Sequence, residues 1–427
     1  MARHRLLLRC LLGLAVLCSV VSSVSAEATL RVNTDRPDAI YACGDDATFA
    51  VGLQRDGGPV VEATVQYRLT LDGGKLLGEG ELAVRDGRAE VRATLAEPGF
   101  VRLSVTFAGE DGHIDAMAAA AFDPEHIVPS ADEPADFVEF WARQKAELAT
   151  IAPDPRLEER ADLSSDQRTV YKISLANIGG SRVYGWLAVP KSPGPYPAVL
   201  TVPWAGVYPT PVGLIDWADR GFLAMAISAH DYDVDMPAEE YKKLEEGPLK
   251  GYPHQGRESR ETGYFRRVFL GCVRAVDYLT SREDWDGTSL IVTGSSQGGG
   301  LSLVTAGLDR RVTALAANVP ALCDHLGYKA GHQPGWPRLV TEGAADQEQA
   351  AGYFDAVNFA RHVACPAIVG VGFIDTVCPP TGVYAAYNVL GGPKQIVPTP
   401  LMGHSQSEVY GALLHRWIPE QAGRAAR

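Results

Sequence analysis

A chain of 427 residues, 46% hydrophobic and 21% charged, is long for one domain and comfortable for two. Its net charge of −13, with no lysine- or arginine-rich run to offset it, excludes a general affinity for nucleic acid or anionic lipid, because an acidic field repels phosphate.

The first predicted element is an export signal over residues 1–26. Arg3, Arg5 and Arg9 give a basic start, Leu6 to Val21 is an almost unbroken apolar run, and Val24-Ser25-Ala26 supplies the small residues of a cleavage site. The run is short of the ~20 apolar residues a membrane span needs, so no stable anchor is expected after cleavage. A lipoprotein signal at Cys18 is disfavoured by the bulky Leu17 before it. Losing the three arginines moves the charge from −13 to −16. The expected location is secreted or periplasmic. Five cysteines remain after cleavage: Cys43, Cys272, Cys323, Cys365 and Cys378. Their irregular spacing implies no disulfide framework, and no C-x-x-C pair or Cys/His cluster suggests zinc, so no metal is expected.

Over residues 27–122 the chain alternates apolar and polar residues in short runs such as "ATFAVGLQ", "ATVQYRLTL" and "FVRLSVTF". Turns rich in glycine and aspartate, "RDGG", "LDGG" and "RDGR", separate them. A period of two with such breaks predicts a half-buried antiparallel sheet, most simply a small immunoglobulin-like β-sandwich. Nothing in it resembles a catalytic constellation, and a spacer or packing module is the expected role. Residues 123–160 supply a linker, "DPEHIVPSADEPAD", and then a helix, "FVEFWARQKAELATI".

Over residues 161–420 short β-branched runs, "YPAVLTVP", "GFLAMAISA", "TSLIVTG" and "PAIVGVGFID", alternate with helical stretches. In "YFRRVFLGCVRAVDYL" the residues Phe265, Val268, Phe269, Cys272, Val276 and Leu279 recur at helical spacing. Strands buried on both faces and alternating with helices predict an α/β fold with a mostly parallel sheet.

Within that unit Gly294-Ser295-Ser296-Gln297-Gly298 fits G-x-S-x-G. The pattern alone is weak, but a strand runs straight into it and "GGGLSLVTAGL" reads as a helix leaving it. Such a corner holds the nucleophile in a strained conformation and lifts its hydroxyl clear of the sheet, which selects Ser296 over Ser295. A serine needs a base, and in this architecture the order is Ser, acid, His. Asp375 ends a strand-like run, and His404 follows the next strand in "KQIVPTPLMGH". His415 lies in a helical stretch and reads as structural. His230 opens "HDYDVD", whose acids begin like a calcium loop that fails at Met236 and Lys242. The N–H of Gln297 is the expected first oxyanion donor, and that of Trp204, in "VPWAGV", the candidate second; Pro203 has none to give.

The motifs "GSSQGGGLSL", "VPALCD", "YFDAVNFA", "GFIDTVCPPTGVYAAYN", "GPKQIV" and "MGH" together resemble the acetyl xylan esterase and cephalosporin C deacetylase family of carbohydrate esterases. The resemblance spans roughly Pro134 to Trp417. It implies an α/β-hydrolase that removes acetyl groups from sugar hydroxyls without a cofactor. The family's nucleophile, acid and base fall on Ser296, Asp375 and His404, and its oxyanion donors on Gln297 and Trp204. Two segments depart from the family pattern. Pro203-Trp204 stands where a glycine and a tyrosine are usual, and "SAHDYDVDMP" replaces an arginine-glycine-glutamine-glycine stretch. The family often forms a ring-like hexamer; the additional β unit leaves a homo-oligomer open here. The expected substrate is acetylated carbohydrate, such as acetylated xylan or its oligosaccharides. A prolyl-oligopeptidase-type peptidase and a non-catalytic carbohydrate-binding protein are the alternatives. Against the peptidase, Gln297 rather than tyrosine follows the nucleophile.

Overall fold

A computed structural model describes residues 28–109 and 112–425. The predicted export signal lies outside the described residues. Among those described, no helix is long and apolar enough to cross a membrane.

Among the described residues the N-terminal unit holds nine strands: β1 (Ala28–Thr34), β2 (Ile40–Tyr41), β3 (Ala47–Arg55), β4 (Gly58–Pro59), β5 (Glu62–Leu71), β6 (Leu76–Arg85), β7 (Arg88–Ala93), β8 (Gly99–Gly109) and β9 (Gly112–Phe122). They form one ladder in the order β1-β3-β7-β6-β5-β8-β9-β2, with β4 paired to β3. The ladder folds over on itself, since β1 packs against β9 from the far side of the order. The expected alternation is plain in β3, where Ala47, Phe49, Val51 and Leu53 are buried. It fails in β8 and β9. There Val101, Leu103, Ala118 and Ala120 face the unit's own core, while Phe100, Ala119 and Ala121 join the core of the following unit. The four successive alanines leave room for backbone to approach from both sides. One face of this half-buried sheet is therefore covered by the rest of the chain.

The second sheet contains β10 (Arg156–Glu159), β11 (Arg168–Ala176), β12 (Arg182–Pro190), β13 (Tyr196–Thr201), β14 (Leu223–Ile227), β15 (Trp285–Ser295), β16 (Ala314–Asn318), β17 (Ala367–Gly372) and β18 (Lys394–Thr399). Its order is β10-β11-β12-β14-β13-β15-β16-β17-β18. From β14 to β18 every pairing is parallel, and β10, β11 and β12 extend one edge antiparallel. The helices are α1 (Phe137–Ala149), α2 (Ala238–Glu246), α3 (Tyr264–Thr280), α4 (Gln297–Leu308), α5 (Ala345–Ala351), α6 (Ala356–Ala360), α7 (Pro380–Asn388) and α8 (Glu408–Ala425). In α1 the residues Phe137, Phe140, Trp141, Gln144 and Leu148 are buried, the 3-4 spacing that turns one stripe to the core. On the opposite face of the sheet Tyr410, Trp417 and Ile418 of α8 pack against Val199, Ile291 and Ile368. The parallel strands thus carry helices on both faces, and their carboxyl ends lie on one side, where such sheets place their sites.

Candidate active site

The turn between β15 and α4 brings Ser296 out of the sheet with φ 59° and ψ −122°, a positive φ that a serine rarely adopts. The neighbouring glycines are required by contact. A Cβ on Gly294 would lie 2.5 Å from the Gly298 carbonyl, and one on Gly298 would lie 2.5 Å from the Val202 oxygen. The turn is also fastened: Ser296 N donates to Asn318 O at 2.9 Å, and Ala321 N donates to Ser296 O at 2.9 Å. Ser295, its neighbour, accepts from Asn318 Nδ2 at 2.9 Å and so has a structural partner.

The structure brings Ser296, His404 and Asp375 together. His404 Nε2 lies 2.8 Å from Ser296 Oγ, and His404 Nδ1 lies 2.8 Å from Asp375 Oδ2. Asp375 is fully buried, and its Oδ1 accepts from Val377 N at 2.8 Å and Cys378 N at 2.9 Å. With both carboxylate oxygens occupied, the ring is held with Nδ1–H toward the acid and Nε2 free to accept the serine proton. Asn318 Nδ2 also donates to Ser405 O at 3.1 Å, tying the histidine loop to the nucleophile turn. Cys378, Asp375 and His404 present potential ligand atoms within 4.8 Å of one another, but the acid and the imidazole are engaged with each other and with Ser296.

Gln297 is fully buried at the first position of α4. Among the described residues its N–H and that of Trp204 have no backbone acceptor. Its side chain holds the opposite loop: Nε2 donates to Pro203 O at 3.2 Å and Trp204 O at 3.3 Å, and Oε1 accepts from Tyr252 OH at 2.8 Å. The Trp204 indole is 36% exposed and stacks on Tyr208 with centroids 4.8 Å apart. Behind the loop, His230 Nε2 meets Gly206 O at 2.9 Å and His230 Nδ1 meets Tyr264 OH at 2.6 Å. Arg267 donates to that phenol oxygen at 2.8 Å. Burial pushes the His230 imidazole down to about 4, against the lifting effect of the Gly206 bond. His230 is therefore a neutral brace of the Trp204 loop.

The remaining acids of "HDYDVD" are accounted for by neighbours. Asp231 accepts from Arg182 N at 2.9 Å, and Asp233 and Asp235 pair with Lys172 at 3.0 and 3.2 Å. His415 belongs to α8, where its carbonyl accepts from Arg220 at 2.8 Å and its ring packs on Trp217. All five cysteines of the described residues are free thiols. Sequence reasoning passed over Asn318, Tyr252 and the bracing role of His230, since each acts through contacts remote in sequence.

A second Ser/His/Asp group lies where the linker meets the catalytic unit. Ser130 Oγ is 2.7 Å from Asp324 Oδ2 and 3.1 Å from His332 Nε2, and that same nitrogen is 3.0 Å from Asp324 Oδ2. Ser130 N also donates to Asp324 Oδ1 at 3.0 Å. Acid and serine here share one ring nitrogen, so no relay from serine to imidazole to acid is formed. The group clamps the linker.

The chain matches the acetyl xylan esterase (AXE1) family over residues 125–330 and 340–420. It belongs to that family. An acetyl esterase of Xylanibacter ruminicola, Axe7A, is 34% identical over 394 residues, covering 90% of this chain and 88% of that protein. Such coverage leaves out less than the length of the N-terminal unit, so the likeness runs into the β ladder. The acetyl xylan esterase of Paenibacillus sp. R4 superposes with a TM-score of 0.60 at 26% identity, over 70% of this chain and 98% of that one. Acetyl xylan esterase 1 of Thermoanaerobacterium sp. JW/SL YS485 shares the fold, with a TM-score of 0.60 at 22% identity, over 70% of this chain and 97% of its own. The AXE1 member described here is thus an acetyl esterase with the α/β-hydrolase fold, preceded by a β-rich unit. Membership disposes of the peptidase and non-catalytic alternatives.

Proposed function

We propose that this AXE1-family esterase is exported and deacetylates carbohydrate, with acetylated xylan or its oligosaccharides as substrate and Ser296, His404 and Asp375 as its triad. The observation that carries the reading is His404 bridging Ser296 and Asp375 through its two different nitrogens, each at 2.8 Å. Ser296 Oγ attacks the acetyl carbonyl while His404 Nε2 takes its proton. The tetrahedral oxyanion is held by the N–H groups of Gln297 and Trp204. His404 then returns the proton to the departing sugar oxygen, leaving Ser296 acetylated. Water, deprotonated by His404, attacks the acetyl-serine, and acetate leaves as Ser296 regains its proton. Asp375 stabilises the imidazolium that forms.

The exposed Trp204 indole, stacked on the half-buried Tyr208, supports a sugar ring as the leaving alcohol, because an indole offers apolar area suited to the C–H face of a pyranose. The basic start, apolar run and small-residue site of residues 1–26 support export.

Acetate release from acetylated xylan and other acetylated glycans, alongside acetyl, butyryl and octanoyl esters of one chromophore, tests the substrate. Preference for octanoyl, or no acetate from any glycan, would sink the carbohydrate reading. Amino-terminal sequencing of the mature protein tests export; a chain retaining residues 1–26 would sink it.

A further inference from the structure

The 71–75 turn between β5 and β6 and the start of β8 reach into the catalytic unit directly behind the acid loop. Arg102 of β8 is buried, is ion-paired with buried Asp72, and donates through Nη2 to the backbone carbonyl of Asp375 at 2.9 Å. Asp72 sits in the turn with φ 41° and reaches the other end of the same loop. Its Oδ2 accepts from Thr381 N at 2.9 Å and Thr381 Oγ1 at 2.7 Å, in the first turn of α7. A carboxylate at a helix start satisfies an otherwise orphaned N–H and complements the dipole.

The loop carrying Asp375 is therefore gripped at residue 375 and at residue 381 by one ion pair from another unit. The fit around it is close. A Cβ on Gly73 would lie 2.5 Å from Gln333 Oε1 and 2.7 Å from Arg102 Nη1, and one on Gly74 would collide with Gly331 O. Gln333 N donates to Asp72 O at 3.3 Å, and Gln333 Nε2 and Arg338 Nη2 each reach Thr376 O at 3.2 Å. Phe100, two residues before Arg102, packs edge-on against Phe373, two before Asp375, at 5.0 Å.

We propose that the N-terminal β unit is a positioning element for the catalytic acid, and that Arg102 and Asp72 are its positioning residues. The inference rests on the assignment of Asp375 to the triad. The grip fixes the backbone from which the Asp375 carboxylate meets His404. Losing it lets the acid drift, and a misplacement of about 1 Å costs on the order of 100-fold in rate. The ester itself does not touch either residue, so its affinity is left alone.

The experiment uses the full chain with a chromogenic acetyl ester and measures kcat, KM, melting temperature and the rate of serine labelling by a fluorophosphonate. Arg102→Met is expected to lower kcat and the labelling rate about ten- to a hundredfold, with KM within twofold, and to lower the melting temperature by burying Asp72 unpaired. The double variant Arg102→Met/Asp72→Asn removes that charge. It is expected to regain most of the melting temperature while kcat and labelling stay low, a separation that a merely structural role does not produce. Recovery of wild-type kcat in the folded double variant would overturn the proposal, as would full activity in Arg102→Met. If Arg102→Met does not fold, the double variant and Thr381→Val decide alone, the latter by a smaller fall in kcat at unchanged KM. Ser296→Ala runs beside them. Activity in that variant overturns the triad itself, whereas an inactive Ser296→Ala beside fully active Arg102 variants overturns only the positioning role.

Discussion

Among the described residues two groups of serine, histidine and aspartate meet, and the wiring of the histidine separates them. His404 has an acceptor on one side and a donor on the other: Asp375 takes its Nδ1–H, and Ser296 offers its hydroxyl to Nε2. His332 has acceptors on both sides, Asp324 at Nε2 and the Gln333 carbonyl at Nδ1, while the Ser130 hydroxyl is turned to the carboxylate. A ring with two acceptors is served by two N–H groups, an arrangement that favours the imidazolium form of His332. Burial pushes its basicity down, but the hydrogen bond and charge of Asp324 lift it above the ordinary value. Burial likewise works against the Asp324 carboxylate, yet His332 and Ser130 carry it below its ordinary value. The first wiring suits a proton relay and the second an ion pair. Residue types alone do not make a triad; the relay needs the two ring nitrogens to have different jobs.

The largest effect that can break this contrast is at the serines. Ser296→Ala is expected to lower kcat by roughly 10⁶-fold, the scale on which removing such a nucleophile acts. Ser130→Ala is expected to leave kcat within twofold. Steady-state assays with a chromogenic acetate decide it, and the reverse result would exchange the roles of the two groups. The aspartates come next. Asp375→Asn should cost about 10⁴-fold in kcat, since an amide favours the wrong imidazole tautomer. Asp324→Asn should leave kcat near wild type but cost roughly 3 kcal/mol of stability, the order seen when a buried charge loses its partner. Denaturant unfolding of both variants makes that comparison.

A subtler test uses pH. A raised His332 pKa means the clamp's stabilisation is fully present below the ordinary histidine value and is lost as pH rises through the folded value above it. A lowered Asp324 pKa means stabilisation is present above the ordinary carboxylate value and is lost as pH falls through the folded value beneath it. The pair therefore stabilises in the window between the two folded values. The melting-temperature gap between wild type and Asp324→Asn is expected to be widest between the ordinary carboxylate and ordinary histidine values and to narrow toward both high and low pH. A gap independent of pH would mean that the clamp holds the linker by packing alone.

The sequence made the relay legible and left the clamp hidden. Ser296, Asp375 and His404 each follow a strand-like run in the order the fold requires, so period, spacing and chain order placed them without knowledge of contacts. Ser130, Asp324 and His332 occupy a linker and loops that have no period, and their meeting depends on how the linker crosses the catalytic unit. The same limit hid Arg102. A charged residue in an alternating strand reads as solvent-facing, and β8 gives no local sign that another unit covers that face. The run Ala118–Ala121 was the available signal, since small residues of both parities in one strand indicate close approach on both faces. The three antiparallel pairings that join β10, β11 and β12 to the edge of the second sheet were likewise invisible to a pattern that reports burial rather than direction.

A third histidine sharpens the comparison. His230 is wired like His404, with one nitrogen on an acceptor, Gly206 O, and the other on a hydroxyl, Tyr264 OH, yet it does no proton transfer. The difference is burial. His404 stands partly open beside a reactive hydroxyl, whereas His230 is enclosed and held down to about 4, with the Arg267 charge also opposing protonation. It stays neutral across the range in which an esterase works, and its task is to hold the loop that Gln297 grips from the other side through Tyr252. Tyr252→Phe removes the hydroxyl from that chain and leaves Gln297 Oε1 short of a donor, a loss of about 1–3 kcal/mol in stability terms. Because the Trp204 N–H is carried on the same loop, kcat is expected to fall several-fold with KM for a small acetyl ester little changed. A His230→Gln variant, which retains a donor toward Gly206, is expected to fall less. Equal loss in the two variants would mean that the phenol and the imidazole brace the oxyanion loop as one unit, and an unchanged kcat in both would remove the loop from the reaction.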